Sequence, residues 1–121
     1  DYEQFDSFHE RLCVDLKNKW NSFTESPEFK IGHAQKWINM TLKYWLLLGE
    51  GRIKNIEKNA KFFHIPIDSY VQSGMFDETY PNPSWSNIDS YKDYYSYQIR
   101  HRKKETGNPP IIDEFDFFNS I

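Results

Sequence analysis

Residues Ala34 to Leu48 constrain this chain more than any other stretch. Trp37, Ile38, Met40, Leu42, Tyr44, Trp45, Leu46, Leu47 and Leu48 cover nearly the whole circumference of a helix of that length. A helix that is apolar all round belongs in an interior. Gly32 precedes it, and Gly49-Glu50-Gly51 stops it by supplying a C-cap and a turn. Its longest uninterrupted apolar run, Tyr44 to Leu48, falls far short of a bilayer span. The stretch therefore reads as the buried central helix of a small all-α domain. Trp37, Ile38, Leu42, Trp45 and Leu46 are its expected core side chains.

The rest of the chain supports a compact helical domain of about five helices. Phe5, Phe8, Leu12, Leu16 and Phe23 recur at helical spacing, and Ser26-Pro27 is expected to end that first helix. Arg52 to Phe63 suits a short polar helix with Ile53, Ile56 and Ala60 inward, and a further unit starts near Pro66. Gly74, Pro81, Asn82 and Pro83 mark a loop over 73–83. Ser86 is the expected N-cap of a long helix running to about Glu105, with Ile88, Tyr91, Tyr95 and Ile99 on one face. Thr106-Gly107-Asn108-Pro109-Pro110 ends it, and a last helix covers roughly Ile111 to Asn119. Strand signals are poor and no repeat is visible.

A length of 121 residues makes 1–121 a single domain able to bury a core without staples. The chain opens on Asp1 rather than methionine, so it is expected to belong to a longer protein or to have lost its start. Aromatics at 18% mean that large rings supply much of the buried area. Charged residues at 27% point away from a membrane. No secretory signal is visible, and the lone Cys13 suits a reducing cytoplasm and reads as a packing residue. His9, His33, His64 and His101 lack paired metal-ligand spacing, and no glycine-rich phosphate loop or nucleophile turn occurs. No metal and no cofactor are expected.

The net charge of −3 excludes a uniformly basic coat, but Arg100-His101-Arg102-Lys103-Lys104 is a basic run beside tyrosines. Such a run suits phosphate contact and base stacking, and it equally suits a solvated helix end set against the C-terminal dipole. A sharper candidate is Lys36 with Asp68. A primary amine attacks carbon only when unprotonated, a form favoured by apolar surroundings and by a helix N-terminus. Lys36 opens the apolar helix, and Asp68 follows Pro66 where it could steady a cationic intermediate or relay a proton. The plainer reading is a solvated lysine and a helix-capping aspartate.

Ile31-Gly32-His33-Ala34-Gln35-Lys36, followed by Ile65-Pro66-Ile67-Asp68-Ser69-Tyr70-Val71, resembles the helix-hairpin-helix DNA glycosylases, and most of all their archaeal 8-oxoguanine branch. The resemblance covers about a third of the chain. It implies that Lys36 is the amine that displaces a damaged base and that Asp68 activates it and steadies the sugar cation. It also implies DNA as partner, with the target base flipped from the duplex and the Gly32-His33 hairpin approaching a phosphate. Arg100, Arg102 and Lys103 would add phosphate contacts. Ala34 stands where the hairpin's second glycine is expected, and no cysteine cluster exists for the iron–sulfur centre some members carry. Two further classes remain open. One is a non-catalytic domain holding a protein partner through its aromatic helices or through Phe115, Phe117 and Phe118; the other is a relic of the fold that binds nucleic acid without cutting it.

Overall fold

A computed structural model of the chain describes residues 1–25 and 28–121. Six α-helices follow one another: α1 (Tyr2–Asn21), α2 (Ile31–Leu48), α3 (Ile56–Asn59), α4 (Ser69–Gly74), α5 (Tyr91–Arg102) and α6 (Pro110–Asn119). No strand occurs among the described residues, and the all-α class is plain. Most of the expected punctuation operates. Gly49 caps α2 at φ +84° as expected. Asp1 and Gln4 add a capping box on α1 beyond the expected signals, and Pro110, expected as part of the preceding stop, opens α6. The stop expected at Ser26-Pro27 lies outside the described residues; α1 itself closes at Asn21.

Several boundaries differ from expectation: Gly32 lies inside α2 rather than before it, and Pro66 lies in extended backbone, with α4 opening only at Ser69. The helix expected over 52–63 shrinks to the single turn α3 and a 3-10 turn at Ala60–Phe62, with Ile56 and Ala60 buried as anticipated. The N-cap expected at Ser86 is Ser90, whose hydroxyl accepts from Asp93 N–H at 3.4 Å. Before it, Trp85–Asn87 forms a 3-10 turn and Ile88 dives into the core, its carbonyl taking the Gly32 N–H at 2.8 Å. That bond holds the backbone extended and delays the helix.

The largest correction concerns the centre of the molecule. Trp37 is 58% exposed, Trp45 43% and Leu47 62%, while the buried residues of α2 are Ile31, Gly32, Ala34, Gln35 and Asn39. Only the first half of α2 is interior. Its second half leans through Leu42 and Leu46 on the smaller cluster of Ile56, Ala60, Phe63 and Ile111 and leaves its other side open. In α1 the buried stripe is Asp6, His9 and Cys13, so Phe8 faces out.

The centre is instead the extended segment 63–68, in which every residue is buried. Ile65 and Ile67 join Cys13, Ile31, Ala34, Val71, Ile88 and Tyr94 in the main core. An extended backbone without a neighbouring strand must still satisfy its polar groups. Glutamines supply the partners: Gln98 of α5 bonds both the N–H and the carbonyl of Ile65, at 2.9 and 2.8 Å, and Gln35 of α2 does the same to Ile67, at 3.1 and 2.7 Å.

A polar chain runs through this core. With both imidazoles neutral, every hydrogen bond in it has a consistent direction. Tyr91 O–H donates to His9 Nδ1, and His9 Nε2–H donates to Asn39 Oδ1 at 2.7 Å. Asn39 Nδ2 donates to Gln35 Oε1 and to Tyr94 Oη, both at 3.0 Å. Tyr94 O–H donates to His64 Nδ1 at 2.6 Å, and His64 Nε2–H to Asp6 Oδ1 at 2.7 Å. Burial holds both rings below the usual histidine range, His9 at about 3, outweighing the contacts that favour their charged forms. At Asp6 burial would raise the carboxyl, but donors from Arg102, His64 and Tyr95 outweigh it and hold it well below the usual carboxylate range. From Tyr91 to Asp6 every donor in the chain meets an acceptor, which is what makes a buried network stable; at its edge Arg102 Nε is buried without a partner.

Candidate functional site

Lys36 and Asp68 meet. The Lys36 Nζ lies 2.5 Å from Asp68 Oδ2, with the lysine side chain 28% exposed and the aspartate 12%. Asp68 sits at the end of the buried extended segment and serves twice. Its Oδ1 caps α4 by accepting the Val71 N–H at 2.9 Å, and its Oδ2 takes the amine. The capping role and the pairing role thus belong to different oxygens of one carboxylate.

A second pair lies on the same side of α2. Lys43, two turns beyond Lys36, bonds Glu114 Oε1 of α6 at 2.6 Å and rests over the rings of Phe115 and Phe118, 4.8 and 4.9 Å from their centroids. Glu114 is buried, and burial pushes its carboxyl above the usual range against the pull of Lys43. The charges of Asp68 and Lys36 also act on it. Two amines and two carboxylates therefore gather where α2, α4 and α6 converge. Lys43 was legible in principle, because a lysine seven residues after Lys36 shares its helix face. Glu114 carried no signal, since α6 reaches α2 only through the tertiary fold.

The residues expected to meet nucleic acid are used differently. Gly32 spends its N–H on Ile88, so that amide is not free for a phosphate. Its missing side chain is required by close packing: a Cβ there would lie 1.9 Å from the Trp85 carbonyl oxygen. His33 accepts the Lys30 N–H at 2.9 Å and stacks on Phe29. The basic run fans out to hold neighbours. Arg100 pairs with Glu78 at 3.0 Å, and Arg102 clasps Asp6 with two nitrogens at 2.8 Å while lying over the Tyr2 ring. His101 reaches Asp113 of α6 at 2.9 Å. Lys103, the C-cap residue of α5, is exposed. The run therefore acts mainly as a strut from α5 to α1, to α6 and to the loop that follows α4. A fully solvated helix end and a continuous basic face both misdescribe it, because the charges of Asp6, Glu78 and Asp113 were placed opposite it by folding.

Phe115, Phe117 and Phe118 are half-buried packing residues; Phe117 lies against Gly74. Three exposed rings, Phe8, Trp37 and Trp45, line an open apolar groove of about 390 Å³ together with Leu12, Ile38 and Leu42. Cys13 is buried and unpaired, and burial pushes its thiol up to about 12, as befits a packing residue. No helix of the described residues is long and apolar enough to cross a membrane. No cluster of three or more His, Cys, Asp and Glu among them could hold a metal ion. Comparison of the chain with family models, curated proteins and solved structures returned no match in any of the three.

Proposed function

We propose that this chain processes DNA lesions in the manner of a base-excision glycosylase and lyase, with Lys36 as nucleophile and Asp68 as its proton partner. The observation that carries the reading is the Lys36–Asp68 pair itself, 32 residues apart in sequence and in hydrogen-bond contact. In the reaction Asp68 takes a proton from the Lys36 ammonium. The freed lone pair forms a bond to C1′ of the damaged nucleotide. The glycosidic C–N bond breaks, its electrons leave with the base, and a proton returns to the base. Asp68 is the source of that proton, and once more a carboxylate it opposes the positive charge that develops on the sugar. Loss of a proton from the Lys36 nitrogen then frees its lone pair to form the C1′–N double bond. The C1′–O4′ bond breaks, O4′ takes a proton, and the imine left between Lys36 and the opened sugar is the species a lyase step would consume. A DNA substrate and the lone unpaired Cys13 both fit a cytoplasmic setting.

Incubation with a panel of lesion-bearing duplexes in borohydride tests this directly, because reduction of the imine links protein and DNA covalently. Wild-type chain is expected to give the adduct. Lys36→Gln is expected to abolish it while the fold persists, and Asp68→Asn to slow it by roughly 100-fold or more with DNA binding retained, as removal of a proton-transfer group does. Absence of adduct and of base release across the panel rejects the reading. The second reading, a non-catalytic partner-binding domain, is favoured by one observation, the exposed apolar face of Phe8, Trp37 and Trp45.

A further inference from the structure

We propose that Gln35 is a positioning residue that keeps Asp68 in register with Lys36. The proposal rests on the reading of that pair as the reacting groups. Gln35 is fully buried and uses its whole amide. Its Nε2 donates to the carbonyls of Ile67 and Gly32 at 2.7 and 2.9 Å. Its Oε1 accepts from Ile67 N–H and from Asn39 Nδ2 at 3.1 and 3.0 Å. The side chain thus pairs with Ile67 as a neighbouring strand would, donating and accepting at one residue.

The register follows from adjacency on both elements. Gln35 and Lys36 are consecutive on α2, and the residues they hold, Ile67 and Asp68, are consecutive on the extended segment. The carbonyl gripped by Gln35 belongs to the peptide that leads into Asp68. A slip of the segment by one residue moves it about 3.3 Å and carries Asp68 away from the amine. Asn39 fixes Gln35 in turn, and His9 and Tyr94 fix Asn39. The buried polar chain therefore ends on the backbone beside the reacting carboxylate. Gln98 provides an internal control, since it grips Ile65 with the same two bonds but from α5 and two residues farther from Asp68.

The test compares Gln35→Met with Gln98→Met in the full chain, well below the melting temperature of both. One measurement is the rate of borohydride-trapped adduct on a lesion duplex. The other needs no DNA: reductive methylation of Lys36 by formaldehyde and cyanoborohydride, read by mass spectrometry against Lys103 as reference. Gln35→Met should lower the trapping rate roughly 10- to 100-fold, the scale of a 1 Å misplacement, with the duplex Kd nearly unchanged. It should also raise Lys36 methylation severalfold as Asp68 swings away, whereas Gln98→Met alters neither. Should Gln35→Met not fold, Gln35→Asn, which keeps a neutral amide but is one methylene too short to grip Ile67, is read in its place. Equal effects of the two glutamine substitutions, or no change in Lys36 methylation, overturn the proposal by reducing Gln35 to a fold-holding residue. Wild-type chain that traps no DNA, with Lys36 methylation still raised by Gln35→Met alone, rejects the glycosylase reading and supports the clamp.

Discussion

The two halves of α2 reverse the usual relation between polarity and burial. The first half sinks Gln35 and Asn39 completely into the core, and the second leaves Trp45, Leu47 and Leu48 largely in solvent. The difference lies in what surrounds each half. Around the first half stand α1, α5, the 85–87 turn and the extended segment, which carry polar groups in complementary positions. The second half rests on the small cluster beside α3 and α6, pairs with Glu114 through Lys43, and shares an open groove with Phe8 and Leu12 of α1. Burial is thus decided by available neighbours, and a side chain of either polarity is tolerated inside when its hydrogen bonds are complete.

The contrast can be broken most sharply at Asn39. Asn39→Leu keeps the branched shape, though with two bulkier methyl groups, but strips the His9 Nε2–H of its acceptor and removes a donor from Tyr94 and from Gln35. A loss of about 2–4 kcal/mol in urea unfolding is expected, the cost of buried groups left unpaired. A loss below about 1 kcal/mol would mean that the network relaxes around an apolar residue and does not hold the first half in place.

Acid sharpens the comparison next. His9 and His64 have folded values below the unfolded value of about 6.5, so the unfolded chain binds more protons as pH falls from 7. Their depression makes the fold lose stability on acidification, by up to about 1.4 kcal/mol per pH unit for each ring in the window below 6.5. For His9 that window extends down to about 3. Asp6, also depressed, adds a loss in the same direction below the usual carboxylate range. Denaturation midpoints between pH 7 and 4 should fall accordingly, and His9→Gln should flatten the slope. A midpoint that rises on acidification would show the imidazoles charged in the folded protein.

The smallest effect belongs to the open half. Trp45→Ala should cost less than about 1 kcal/mol, because much of the ring is already wet. Leu47→Ser should be close to neutral. A loss above about 2 kcal/mol at Trp45 would place that ring in a packed environment and erase the contrast.

Legibility in the sequence divides along similar lines. Gly49 and the Thr106 to Pro110 stretch marked helix ends because their effects are confined to neighbouring backbone. Lys36 and Asp68 were legible through local context, a lysine opening an apolar helix and an acid after Pro66. The Gln35 and Gln98 clamps were not, because a glutamine beside an isoleucine carries no sign that a backbone thirty-odd residues away will need its amide. Ser86 misled for a related reason: its local signal was sound, but the long-range Gly32–Ile88 bond held the following backbone out of the helix.

Composition, periodicity and punctuation by themselves determined an all-α chain, the approximate number of its helices and most of their ends, since turn propensities and caps act over a few residues. Tertiary structure alone decided which face of each helix turned inward, that the extended segment 63–68 and not α2 became the centre, and that the basic run at 100–104 was spent on Asp6, Glu78 and Asp113. Those outcomes depend on which groups meet across distant parts of the chain. A buried polar side chain is stable or ruinous according to partners that its own neighbours in sequence do not name.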